Sequence, residues 1–116
     1  MIAALNRLVE LIESQLDDDI EMAGLAREVG TTEYHLRRMF SSLAGMPLSD
    51  YIRRRRMTLA AADVVAGDAL LDVAVRYGYG STEAFGRAFH AVHGVRPADV
   101  RRHGGPFAHN HSSGSA

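Results

Sequence analysis

The sequence predicts an all-α protein of about seven helices, arranged as two helix-turn-helix subdomains joined by a long central helix. Three observations carry this. Apolar residues recur at three- and four-residue steps along most of the chain, and no segment alternates with period two as a half-buried strand would. The residues around Gly30 recur, with the same chemistry, around Gly78. Between the copies, Pro47 stands at the head of a longer apolar seam, where its fixed φ suits the first position of a helix.

The first helix presents Ile2, Leu5, Leu8, Val9, Ile12 and Leu16 on one face and is expected to end at the acidic run Asp17-Asp18-Asp19. A short helix from about Met22 to Val29 buries Leu25, Ala26 and Val29 and stops at Gly30, which can adopt the positive φ of a helix end. Thr32 caps the next helix, about Glu33 to Leu43. Its inner face is Leu36, Met39, Phe40 and Leu43, and its outer face Tyr34, Arg37, Arg38 and Ser41. The long helix that Pro47 opens buries Leu48, Ile52, Met57, Ala60, Ala61 and Val64 and ends at Ala66-Gly67-Asp68. The domain boundaries read as 1–46 for the first subdomain, 47–66 for the linker helix and 67–102 for the second subdomain. Residues 103–116, rich in Gly and Ser, read as a flexible tail or a truncated linker.

The repeat is exact enough to align. Leu25, Ala26 and Gly30 return as Val73, Ala74 and Gly78 at an offset of 48, while Thr32, Leu36, Arg38, Phe40 and Gly45 return as Ser81, Phe85, Arg87, Phe89 and Gly94 at 49. The second copy therefore carries one extra residue in its turn, where an insertion costs little. In each copy a short helix braces a longer, capped one, which is how a DNA-reading helix is presented to the major groove. Arg37 and Arg38 in the first copy and Arg87 in the second can each donate two hydrogen bonds to O6 and N7 of guanine, worth about 1–3 kcal/mol of discrimination. The same arginines could instead form surface ion pairs. Tyr34 can pack on a thymine methyl or a sugar, or on its own helix, and Thr32, Ser81 and Thr82 can cap a helix or meet phosphate.

Tyr34-His35-Leu36-Arg37-Arg38-Met39-Phe40, Tyr51-Ile52-Arg53 to Met57, Gly78-Tyr79-Gly80-Ser81 with Phe85-Gly86-Arg87-Ala88-Phe89, and Gly94-Val95-Arg96-Pro97 resemble the AraC/XylS family of bacterial transcription regulators. The nearest likeness is to its MarA/Rob-type members, over about residues 2–102. The resemblance implies a sequence-specific regulator, an activator working with RNA polymerase, whose two reading helices enter successive major grooves on one face of double-stranded DNA. It places base contacts on Tyr34, Arg37 and Arg38 and on Thr82, Glu83, Gly86 and Arg87, with phosphate contacts on Thr32, Ser81 and Arg53. It also implies an effector ligand acting through a further domain beyond this sequence, as in Rob-type relatives.

Four residues depart from the family pattern. Position 37, often an amide in such relatives, is Arg, so base preference should differ. Gly86 removes a side chain from the second reading surface, and Glu83 puts a carboxylate where phosphate repels it unless a cytosine amine donates to it. Val100 stands where an aromatic is usual, which should loosen the last helix. An alternative is a helical protein-interaction module or antagonist that has lost specific DNA reading through Gly86 and Glu83.

The formal charge of −1 hides a strong segregation. Residues 1–33 carry −6 (two Arg, eight acids), 34–56 carry +5 (six Arg, one acid), 57–86 carry −3 (one Arg, four acids) and 87–116 carry +3 (four Arg, one acid). Two basic segments in an otherwise acidic chain fit a polyanion partner. The run Arg53-Arg54-Arg55-Arg56 fans through about 300° of a helix and cannot be one patch, so one or two of these are expected to meet phosphate and the rest to pair with acids or buttress the subdomains. With no cysteine, thiol catalysis and Cys-based metal sites are excluded. His90, His93, His109 and His111 lack the partners of a metal site, and Gly78-x-Gly80 lies in a turn without a nucleotide-binding fingerprint. No nucleophile–base pair or carboxylate dyad points to an enzyme, and no cofactor is expected. No apolar run is long enough for a membrane span, and a cytoplasmic, nucleoid-associated location is expected.

Overall fold

The computed structural model describes residues 2–103, and every regular element among them is a helix. In chain order they are α1 (Ile2–Glu13), α2 (Met22–Glu28), α3 (Glu33–Ala44), α4 (Leu48–Val65), α5 (Leu70–Arg76), α6 (Thr82–His93) and α7 (Pro97–His103). The tail expected over 103–116, with His109 and His111, lies outside the described residues apart from His103 at the end of α7. Two compact units divide inside α4, the first ending at Arg55 and the second beginning at Arg56.

In the first unit, Leu8, Ile12, Leu16, Leu25, Ala26, Leu36, Phe40, Leu48 and Ile52 are all buried. Burying each of the Leu, Ile and Phe side chains among them contributes about 1.5–3 kcal/mol. Helix α1 ends at Glu13, short of the acidic run expected to stop it. The chain leaves it through turns in which Ser14 N–H donates to the Glu10 carbonyl at 3.1 Å and Gln15 N–H to that of Ile12 at 3.0 Å. Those turns still deliver Leu16 to the core, so the apolar period outlasts the helix. Leu43, expected inside, is 40% exposed.

The second unit packs Val73, Ala74, Tyr77, Phe85, Phe89 and Val100 against Met57, Ala60, Ala61 and Val64 of α4. All six residues expected on the inner seam of α4 are buried. Helix α7, expected to be loosened by valine at position 100, nonetheless buries Val100 completely. The Nε2–H of His93 donates to the Met57 carbonyl at 2.9 Å, tying α6 to α4.

The two bracing helices end identically. After α2, Gly30 N–H donates to Arg27 and Thr31 N–H to Ala26; after α5, Gly78 N–H donates to Val75 and Tyr79 N–H to Ala74. This paired closure needs a left-handed residue, supplied by Gly30 at φ 81° and Gly78 at φ 90°. From there the copies diverge as the shifting offset requires: residues 29–32 separate α2 from α3, and 77–81, one residue more, separate α5 from α6.

Candidate nucleic-acid interface

Helix α3 begins where the Thr32 side chain accepts a hydrogen bond from His35 N–H at 3.3 Å, leaving its own hydroxyl proton free to donate outward. Leu36 and Phe40 anchor the inner face of α3, which turns Tyr34, Arg37, Arg38 and Ser41 together onto a shallow, open depression. Tyr34 is 64% exposed. Its hydroxyl accepts from Arg38 Nη1 at 3.1 Å, and the Arg38 guanidinium carbon stands 5.5 Å from the ring centre. Arg37 Nε donates to Glu33 Oε2 at 3.1 Å. The face thus presents two guanidinium groups one residue apart, one held by a ring and the other by an exposed carboxylate. An exposed pair of the second kind is worth under about 1 kcal/mol, so Arg37 can exchange Glu33 for a base or phosphate at little cost.

Helix α6 repeats the arrangement with different contents. Ser81 Oγ accepts from Ala84 N–H at 3.1 Å, the same cap as at Thr32. Phe85 and Phe89 anchor the inner face, their rings 5.7 Å apart. Arg87 is exposed and its guanidinium has no hydrogen-bond or ion-pair partner among the described residues. Glu83 is exposed, and Thr82 Oγ1 donates to its Oε1 at a long 3.5 Å. Gly86 is buried instead of lying open on the reading face, and Nη1 of Arg96 lies 3.5 Å from where a Cβ on residue 86 would stand.

The four arginines of α4 separate as helix geometry requires. Arg53 Nη2 donates to Asp50 Oδ1 at 3.0 Å, and Arg55 forms a two-pronged bridge to Glu13, with both hydrogen bonds at 2.8 Å. Tyr51 O–H also donates to Glu13, at 3.3 Å. The hydrogen bonds from Arg55 hold the Glu13 carboxyl below the usual glutamate range, and burial beside that carboxylate pushes the Tyr51 hydroxyl up. In the second unit, Arg76 Nη1 bridges Asp63 at 2.8 Å and Asp68 at 3.0 Å, and Tyr77 O–H donates to Asp63 at 2.7 Å. Arg55 and Arg76 are thereby committed inside the protein, while Arg37, Arg38 and Arg87 face outward.

A family model described as a helix-turn-helix domain matches residues 25–103. The transcriptional activator AarP of Providencia stuartii is 33% identical over 98 residues, covering 84% of this chain and 73% of AarP. The chain belongs to the AraC family of helix-turn-helix transcription regulators. It is a regulator and not an enzyme, as its family is. An AraC-type regulator from Chromobacterium violaceum superposes with a TM-score of 0.80 at 20% identity, covering 86% of this chain and 90% of that one. The DNA-binding domain of AdpA, solved in complex with a target DNA, superposes at 0.70 and 24% identity, covering 85% of this chain and 89% of that one. These two likenesses establish the AraC-type fold. Among the described residues, no helix is long and apolar enough to cross a membrane.

Sequence reasoning missed Arg96 as a neighbour of α6. One signal was present: the offset of 49 sets Gly86 opposite Arg37, so the second copy lacks a guanidinium its partner has. That the chain after α6 would bring Arg96 back beside Gly86 depends on a tertiary turn that no local spacing encodes.

Proposed function

We propose that this AraC-family chain is an activator that reads an asymmetric double-stranded DNA site with α3 and α6 in two successive major grooves about 10–10.5 bp apart. Tyr34, Arg37 and Arg38 read bases in one block, and Thr82, Glu83, Gly86 and Arg87 face the other. Thr32, Ser81 and Arg53 position the protein on phosphates. The observation that carries this reading is the outward Tyr34–Arg37–Arg38 face of α3, repeated on the equally capped α6 by an unpaired Arg87. A tandem repeat in one chain calls for two unlike blocks, whereas a symmetric dimer calls for a palindrome. Activation implies contact with RNA polymerase, and the setting is the bacterial cytoplasm. An effector, if one acts, does so through a domain outside this sequence.

Selection from a randomised duplex library at about 0.15 M salt tests the proposal, followed by affinity against salt for the winning sequence. The expected result is an asymmetric consensus of two blocks one turn apart and a steep negative salt slope. A single block would restrict reading to one helix. No enrichment by a folded protein would overturn sequence-specific reading and favour a protein-interaction module.

A further inference from the structure

We propose that Arg96, from the turn between α6 and α7, supplies the base-reading guanidinium that Gly86 leaves out of the second reading helix. The inference rests on the DNA-reading function proposed above.

The repeat sets up the comparison. At an offset of 49, Arg38 corresponds to Arg87 and Arg37 to Gly86, so the first reader carries two adjacent guanidinium groups and the second carries one in its own helix. At about 100° per residue, positions 82, 86, 83 and 87 follow one another around about 140° of α6, with 86 between 82 and 83. A glycine there contributes no side chain to that face, and its backbone is buried. The structure fills that place from elsewhere. Nη1 of Arg96 lies 3.5 Å from the position of a Cβ on residue 86, and apart from the adjoining residues and the backbone of α6 itself it is the one group among the described residues within 4 Å of that point. That spacing is ordinary van der Waals contact, so the guanidinium rests against α6 where a longer side chain at 86 would collide with it.

Two further facts assign the group outward. Arg96 is an exposed residue, and its guanidinium has no hydrogen-bond or ion-pair partner among the described residues, not even the exposed Glu83 on the same side of α6. Its backbone is fixed, because its carbonyl accepts from Asp99 N–H at 3.0 Å and Val100 N–H at 3.1 Å, and Pro97 and Val100 beyond it are buried. A cation on a fixed stem, uncommitted within the protein and lying on the reading face, matches the donor fork that guanine presents acceptors to. Arg96 and Arg87 together then restore to the second reader the pair that Arg37 and Arg38 make in the first.

The test compares wild type with Arg96→Ala, Arg96→Lys, Gly86→Gln and Arg38→Ala in the same randomised-duplex selection, with affinities for the winning duplex and for an unrelated one. Arg96→Ala should weaken binding to the winner roughly tenfold and erase the preference at one base pair of the α6 block, leaving the other block intact. Arg96→Lys, which keeps the charge without the fork, should recover part of the affinity but not the preference. Gly86→Gln, which displaces the guanidinium, should alter the preference at that same base pair. Unchanged affinity and consensus in Arg96→Ala, with Arg38→Ala still weakened, would overturn the role of Arg96 and leave DNA reading standing. Equal losses on the winning and unrelated duplexes would reduce Arg96 to a phosphate contact and overturn base reading. Absence of any wild-type consensus would remove the DNA-reading function and this inference with it. Arg96 is exposed and unpaired, so its variants should unfold at the wild-type temperature.

Discussion

The Arg38 guanidinium donates to the Tyr34 hydroxyl at 3.1 Å while its carbon stands 5.5 Å from the centre of the same ring. The two residues lie one turn apart on α3, and among the described residues no carboxylate pairs with Arg38. An aromatic ring orients the cation without neutralising it, so less side-chain freedom is lost when the fork meets a base.

Replacing Arg38 by alanine should therefore cost about 1–3 kcal/mol in binding to the selected site and relax specificity at one base pair. Tyr34→Phe keeps the ring but removes the acceptor, and should cost less, about 0.5–1 kcal/mol, with the consensus unchanged. Titration of labelled duplexes by fluorescence anisotropy measures both. A Tyr34→Phe loss as large as that of Arg38→Ala would show that the hydroxyl itself contacts DNA.

The two glycines between α5 and α6 predict a contrast in stability. Gly78 has a φ of 90°, whereas Gly80, two residues on, lies outside the left-handed region and has no atom within 4 Å of an added Cβ. Gly78→Ala should destabilise the fold by about 1–2 kcal/mol, because a Cβ in the left-handed region meets its own backbone. Gly80→Ala should be neutral or slightly stabilising. Urea unfolding followed by circular dichroism separates them, and equal effects would contradict the backbone account.

Most of the fold was legible in the sequence because helices announce themselves by period, cap and glycine stop. The seam Leu48, Ile52, Met57, Ala60, Ala61 and Val64, the caps Thr32 and Ser81 and the stops Gly30 and Gly78 are all local signals, and each stands where the spacing places it. The end of α1 was misjudged because turns preserve the apolar rhythm to Leu16 without the helix. What stayed hidden was long-range. Glu13 meets Arg55 across 42 positions, and Arg96 reaches Gly86 around a turn; local pattern shows that residue 86 lacks a side chain but names neither partner. The outward face of α3 was legible as a set of residues, but the coupling of Arg38 to Tyr34 was not.

The Glu13–Arg55–Tyr51 cluster gives the first unit an acid sensitivity. Hydrogen bonds from Arg55 hold the Glu13 carboxyl below its ordinary value of 4.5, so the folded state binds that proton less readily than the unfolded chain. The resulting stability is fully present above about pH 4.5 and is lost as pH falls from there through the lowered folded value. Glu13→Gln should lower stability by about 1 kcal/mol at pH 7, since both groups are about one-third exposed and water weakens the pair. The mutant and wild type should converge as pH falls below that lowered folded value. Urea midpoints measured from pH 3 to 7 check this, and a constant gap across that range would remove the ionic origin of the contact.

Arg53 and Asp50 predict an affinity that moves in opposite directions. The two groups pair at 3.0 Å on the first turns of α4, with side chains 46% and 37% exposed. Binding to phosphate requires Arg53 to leave Asp50, and the carboxylate left behind repels the same phosphate. Arg53→Ala should therefore weaken binding to specific and unrelated duplexes alike and reduce the slope of log affinity against log salt by about 1. Asp50→Asn should strengthen binding several-fold through the release of Arg53 and the loss of repulsion. It should also cost about 0.3–1 kcal/mol of stability, because Asp50 sits in the first turn of a helix where negative charge is favourable. Affinities at four salt concentrations between 50 and 300 mM, with thermal unfolding in parallel, measure both effects. A weakened Asp50→Asn complex would show that this ion pair holds α4 in the binding geometry, and that Arg53 does not itself meet the backbone of the DNA.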